Sequence, residues 1–233
     1  MKQFSNRYIF IFSTVMVVAV AVLLSLAATL LQPAQEKNIE VEKKKSMLES
    51  IHIQSTRQTT ETLYDKYITE SFVINSKGET VDGVDPFTVV LRAEQKKPLE
   101  EQYLPVFRAF PDDGEKVLIL PVEGKGLWGP IYGFVALNSD LNTIYGVTFD
   151  HKGETPGLGA EINTTPFESM FNGKTLFDDG KFVSVTVVKG GAPEGDIHGV
   201  DAISGGTITS KGLEKMLQDC LVKYNDYFSK NRN

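Results

Sequence analysis

The chain has 233 residues, 41% of them hydrophobic and 23% charged, and a formal net charge of −6. That acidity, with no basic stripe interleaved with aromatics, argues against nucleic acid as a partner. A single cysteine, Cys220, excludes a disulfide framework and a Cys-ligated zinc or iron–sulfur site within the chain, and His52, His151 and His198 lie too far apart for a local His-based metal motif.

Residues 1–7 form a short N-terminal tail carrying Lys2 and Arg7. From Tyr8 to Leu31 no Asp, Glu, Lys or Arg interrupts the apolar run. A helix over 8–31 is about 36 Å long, enough to cross a hydrocarbon core of about 30 Å and so contact membrane lipid. The run is too long for the apolar region of a typical cleaved signal, so it reads as a retained transmembrane anchor, with Pro33 following it. Lys37, Lys43, Lys44 and Lys45 soon after the span outnumber Lys2 and Arg7 before it. A bare count of positive charge therefore places the large domain on the cytoplasmic side.

Residues 32–60 read as a helical stalk or linker, and residues 61–233 as the main domain. Ile39, Met47, Leu48 and Ile51 suggest one apolar helix face, and Leu63, Tyr64, Tyr67 and Ile68 another. The pattern then changes to short β-like runs. Phe72 and Ile74 alternate before Ser76-Lys77-Gly78. Val106 to Phe110 ends at Pro111-Asp112-Asp113-Gly114, a hairpin-type turn into Val117 to Leu120. Ile131 to Leu137 joins Ile144 to Phe149 through Asn138-Ser139-Asp140. Phe167 to Phe171 suits a short helix, and Phe182 to Val188 alternates as one strand. From about Ser210 to Phe228, Leu213, Met216, Leu217, Cys220, Leu221 and Tyr224 mark one face of an amphipathic helix. The fold class is α+β: a single N-terminal transmembrane helix, then a domain with a mainly antiparallel sheet and flanking helices.

Gly124 to Gly129 matches the dinucleotide pattern G-x-G-x-x-G. That motif needs a helix directly after it, and Pro130 followed by a β-rich run rules it out. No nucleophile elbow surrounds Ser204, so its neighbour His198 does not make a catalytic pair. Asp112-Asp113 and Asp178-Asp179 sit beside glycines in turns.

Two loops carry more. Gly153-Glu154-Thr155-Pro156-Gly157-Leu158-Gly159 follows a strand and is shaped by three glycines and a proline. Its backbone can approach a ligand closely, with Leu158 against a flat apolar ring, or it is a plain β-to-α connection. Asp201-Ala202-Ile203-Ser204-Gly205-Gly206-Thr207 precedes the last helix. Small hydroxyls, a glycine pair and a helix N-terminus make a place for a phosphate, or an ordinary cap formed by Thr207, Thr209 or Ser210. Lys189, ending a strand before Gly190-Gly191, is within reach of such a phosphate or is simply a surface lysine.

Together these loops resemble a known family. Asp201 to Thr207 resembles the flavinylation motif D-x-x-[S/T]-G-A-T, and Gly153 to Gly159 looks like the flavin-contacting E-T-P-G-L-G loop of FMN-binding domains. With the anchor, the run from Gly126 to Phe134 and the last helix, the resemblance is to the NqrC family of Na+-translocating NADH:quinone oxidoreductases. It covers nearly the whole chain and is weakest from about Glu36 to Asp113. It implies FMN joined through its phosphate to Thr207, attached by a separate flavin transferase that reads Asp201. Ser204, Gly205 and Gly206 complete that loop, and Glu154, Thr155, Gly157, Leu158, Gly159, Trp128 and Lys189 are the other cofactor-binding residues. Backbone N–H groups from Thr155 to Gly159 are expected to tune the flavin.

The resemblance also implies an electron carrier that is not catalytic alone. It takes electrons from an iron centre in partner subunits and passes them to a flavin in another subunit, within a bacterial inner-membrane complex that oxidises NADH, reduces quinone and exports Na+. It places the domain on the periplasmic face, against the lysine count. Gly206 departs from the family's usual alanine, and the missing methyl is expected to loosen the loop without removing the acceptor hydroxyl. The alternatives are the related RnfG component of the Rnf ferredoxin:NAD+ oxidoreductase complex and an anchored binding or assembly protein with no redox cofactor.

Overall fold

The computed structural model describes residues 5–232; Lys2 and most of the tail expected over residues 1–7 lie outside them. Helix α1 runs from Asn6 to Ser50 and continues through Pro33. Its first part is long and apolar enough to cross a membrane. The chain divides into two compact units, Met1–Glu42 and Lys43–Asn233.

The second unit begins at Lys43, and the end of α1 belongs to its core. Met47, Leu48 and Ile51 are fully buried there. After α1 come α2 (Thr60–Tyr67), β1 (Ile68–Ile74), β2 (Thr80–Val81), α3 (Leu91–Glu94) and β3 (Leu104–Ala109). Then follow β4 (Val117–Lys125), β5 (Pro130–Leu137), β6 (Ile144–His151) and α4 (Thr165–Ser169). The chain closes with β7 (Phe177–Asp178), β8 (Lys181–Phe182), β9 (Thr186–Val188), β10 (Gly199–Asp201), α5 (Thr207–Leu221) and α6 (Asn225–Asn231).

Six strands form one antiparallel sheet in the order β2-β1-β3-β4-β5-β6. Side chains on a strand alternate between faces, and here both faces are buried. Leu118, Leu120, Val122, Val135 and Leu137 point into one core, where Leu213, Met216, Leu217 and Leu221 of α5 cover them. Val117, Ile119, Phe134 and Ala136 point into the other, against Met47, Leu48 and Ile51 of α1 and Tyr64 and Tyr67 of α2. Each such buried aliphatic side chain stabilises the fold by about 1.5–3 kcal/mol. The Thr148 hydroxyl donates to Ser46 O at 3.0 Å, and His52 Nε2 lies 3.0 Å from Tyr145 O, so the end of α1 is fastened to β6 as well as packed on the sheet.

Two elements differ from the sequence pattern. The strand expected over Phe182–Val188 is split into β8 and β9, because Ser184 takes a left-handed φ of 61°. The helix expected over Ser210–Phe228 starts earlier, at Thr207, and is interrupted by a 3-10 turn at Val222–Tyr224 before α6. The apolar stripe continues through that turn, since Tyr224 and Phe228 remain in the core. Periodicity therefore registered the buried face and not the change of winding.

Candidate functional site

The site forms where three segments distant in sequence converge at one end of the sheet. The first is the β4–β5 connection. Gly126 N donates to Gly129 O at 2.8 Å, closing a tight turn that runs directly into β5. No helix follows Gly129, in keeping with the exclusion of a dinucleotide loop. The second segment leaves β6. Ile131 pairs with His151 and Lys152 N donates to Pro130 O at 3.1 Å, so the loop from Gly153 to Gly159 emerges beside the first turn. The third is the loop from Asp201 to Gly206 with the first turn of α5.

Glu154 joins all three. It is 5% exposed, yet its carboxylate is fully engaged. Trp128 N donates to Oε1 at 2.8 Å, and the Thr209 hydroxyl donates to Oε2 at 2.6 Å. Its own N–H donates to His151 Nδ1 at 3.1 Å. Burial pushes the Glu154 carboxyl up, but the bonds from Thr209 and from the Trp128 and Gly129 amides, with His151 nearby, hold it below the usual carboxylate range. Glycine at 126 and 159 makes this possible. A Cβ on Gly126 would lie 2.5 Å from Glu154 Oε1, and one on Gly159 would lie 2.5 Å from Oε2 and collide with the Thr209 hydroxyl. Glu154 thus faces inward, and it serves the site by holding its walls together.

The third segment is fixed from several directions. β9 and β10 run parallel, with Val188 opposite Asp201, and Ala202 N donates to Val188 O at 2.9 Å. Asp201 Oδ1 accepts from Ala192 N at 2.7 Å, which closes the Lys189–Ala192 turn. Lys189, exposed at the end of β9, is thereby set beside the loop. Ser210 Oγ accepts from Ile203 N at 3.1 Å. Gly205 turns with φ 75°, and a side chain there would meet Leu158 Cδ2 at 2.5 Å, so Leu158 lies directly on the loop.

The two loops singled out in the sequence are therefore in contact. Gly206 is buried, and a methyl on it would lie 2.9 Å from Ile203 Cγ2. Ile203 fills that space, so the loop is packed where it was expected to be loose.

The hydroxyls are sorted by this arrangement. Thr209 and Ser210 are buried, the first bonded to Glu154 across the fold and the second to Ile203 N in the preceding loop, so neither starts the helix as a cap. Gly206 occupies the cap position of α5 and makes no side-chain cap, leaving the first-turn amides for an anion. Thr207 is the first residue of α5 and exposed, as is Ser204 before it. Neither side chain has a hydrogen-bond partner within the described residues.

Exposed apolar groups lie on the three segments: Ile208 at 61% beside Thr207, Leu158 at 41% on Gly205, and Trp128 at 70% on the β4–β5 turn, where Trp128 lines a cleft with Lys125, Gly212, Lys215 and Met216. These features fit a flavin phosphoester: a free hydroxyl at an uncapped helix N-terminus, with unburied apolar surface on each adjoining segment. The Thr155–Gly159 amides are less available than expected. Leu158 N donates to Thr155 O at 3.1 Å and Gly157 N to Glu161 Oε1 at 3.0 Å. A tight turn satisfies its own donors, and Pro156 has none to offer.

Sequence reasoning missed a site role for His151 and Ile208, and it offered Thr209 only as a candidate cap. Ile208 carried a signal: it lies five residues before Leu213, off the apolar stripe of α5, and a large aliphatic residue on the wrong face is a candidate contact. The Thr209–Glu154 bond left no trace, because its partners are 55 residues apart.

The model of the FMN-binding domain family matches residues 126–222, which hold all three segments. The C-type subunit of the Na+-translocating NADH-quinone reductase of Vibrio vulnificus is 35% identical over 210 residues, covering 83% of this chain and 82% of that protein. The crystal structure of the corresponding protein from Parabacteroides distasonis superposes with a TM-score of 0.78 at 42% identity, covering 85% of this chain and 97% of that one. The NqrC structure from Shewanella oneidensis gives 0.70 at 31% identity, over 84% and 98% of the two chains. Similarity of this extent, in sequence and in fold, settles the membership: the chain belongs to the NqrC family of Na+-translocating NADH-quinone reductase subunits.

Proposed function

We propose that this chain is the FMN-carrying subunit of a Na+-translocating NADH-quinone reductase, with the flavin phosphate esterified to Thr207. The observation that carries this is the sorting of hydroxyls at the start of α5. Thr207 is exposed and free at an uncapped N-terminus, while Thr209 and Ser210 are buried and bonded elsewhere. A threonine hydroxyl is a weak nucleophile, so a flavin transferase makes the ester, and an exposed, ordered loop is what such an enzyme needs to reach.

The bound flavin supplies the electron-transfer chemistry. The protein supplies the rest. The first turn of α5 offers amides and a favourable dipole to the phosphate. Leu158, Ile208 and Trp128 offer apolar surface to the ring, and Lys189 follows the strand that pairs with Asp201. In this reading the domain is anchored by α1 in a bacterial inner membrane and held on its periplasmic face. It takes electrons from an iron centre in partner subunits and delivers them to a flavin in another.

The test is co-expression with the transferase, followed by ultraviolet fluorescence of the denatured protein and peptide mass mapping. Wild type carries covalent flavin on the peptide containing Thr207; Thr207→Val carries none, and Thr209→Val retains it. Flavin mapped to Ser204 or Thr209, or none at all, overturns the reading.

A further inference from the structure

We propose that Glu154 is a positioning residue for the flavin: a buried carboxylate that locks α5 to the Leu158 loop and sets a fixed negative charge beside the redox group. The inference rests on Thr207 being the flavin acceptor. Glu154 belongs to the same loop as Leu158, which lies on Gly205, and its Oε2 takes the hydroxyl of Thr209. The acceptor is thus bracketed, two residues on either side, by contacts to one loop.

The site is built for a charged acceptor. The groups facing the carboxylate are donors: the Thr209 hydroxyl on α5 and the Trp128 and Gly129 amides on the β4–β5 turn. A glutamine there must turn its NH2 toward one of them, and only the hydroxyl can reverse its role to accept. Glycines at 126 and 159 keep the cradle open for both oxygens. His151 at the end of β6 is the one titratable neighbour that acts on it, and no Lys or Arg pairs with it among the described residues. Hydrogen bonds satisfy the carboxylate without cancelling its charge, and its burial keeps that charge from being screened at its source. A nearby negative charge opposes the addition of an electron to the flavin and lowers its potential.

The experiment uses the full chain in detergent, co-expressed with flavin transferase. It measures the site of attachment by peptide mapping and the midpoint potential by spectroelectrochemistry. Glu154→Gln keeps the shape and removes the charge; the expected result is flavin still on Thr207 with a raised potential. Thr209→Val withdraws the hydroxyl, and the expected result is retained flavin with an altered potential and visible spectrum. Thr209→Ser restores both to wild-type values. If Glu154→Gln fails to fold, the Thr209 pair decides alone. Wild-type potentials in both Glu154→Gln and Thr209→Val, or a lowered potential in Glu154→Gln, overturn the inference while leaving Thr207 as acceptor. Wild-type flavin on another residue overturns both, and the mapping distinguishes the two failures.

Discussion

The hydroxyl of Thr209 donates to Glu154 Oε2 at 2.6 Å, joining the first turn of α5 to a loop 55 residues upstream. Around this bond the candidate site is assembled. Gly159 presses against it, with no room for a side chain. Gly159→Ala is expected to destabilise the domain by about 1–3 kcal/mol through overpacking, and so to lower Tm by several degrees. A thermal melt of the full chain in detergent reads this. An unchanged Tm would mean that the loop relaxes freely and that the Glu154 cradle is not rigid.

Leu158 lies on the Asp201–Gly206 loop at Gly205, and its side chain is 41% exposed. Truncation removes apolar surface from the ring's side without touching the acceptor hydroxyl. Leu158→Ala is expected to keep the covalent flavin and to change its potential or its rate of reduction. Potentiometry and stopped-flow reduction of the assembled complex provide the measurement, and unchanged values in both remove Leu158 from the site.

Gly206 allows a direct comparison with the family pattern. Its φ of −99° suits any residue, so an alanine is not strained in its backbone. The obstacle is Ile203, whose Cγ2 would lie 2.9 Å from the new methyl. Gly206→Ala is expected to retain flavin on Thr207 and to cost about 1 kcal/mol, or roughly 2–4 °C in Tm. A stabilised variant would show that Ile203 yields readily and that the loop tolerates the family's alanine at no cost.

Glu168 introduces a pH dependence. Burial pushes its carboxyl up to about 7, and repulsion from Glu49 and Asp150 adds to the rise, against the bond from Phe149 N. Its folded value lies above the ordinary 4.5, so the folded state holds the proton more tightly than the unfolded chain does. The stability this contributes is fully present below pH 4.5 and is lost as pH rises to about 7. After allowance for its partial exposure the loss is about 2 kcal/mol. Glu168→Gln keeps an acceptor for Phe149 N and is expected to raise Tm at pH 8 while leaving it nearly unchanged at pH 4.5. Parallel Tm–pH curves for wild type and variant would contradict this assignment.

The architecture was readable wherever a local pattern reports burial. Short apolar runs bounded by turn residues at Val117–Leu120, Ile131–Leu137 and Ile144–Phe149 marked strands of the sheet, and the stripe through Leu213, Leu217 and Tyr224 marked the helix that covers it. The same logic erred at Ser184 and at Val222–Tyr224, where the buried side persists while the backbone changes course. Met47, Leu48 and Ile51 showed a helix face but not which sheet receives it.

What the sequence determined by itself was the set of parts: an apolar helix, an antiparallel sheet with covering helices, and two glycine-rich loops in which Thr207 and Leu158 are the distinctive residues. Spacing and periodicity are short-range properties, and these parts are short-range objects. The tertiary structure decided how the parts are used. It turned Glu154 inward, committed Thr209 to a buried bond across the fold, and left Thr207 exposed at an uncapped helix end. Which of several similar hydroxyls remains free depends on which partners folding brings within 3 Å of each, and those partners lie on strands and loops that meet only when the sheet has formed.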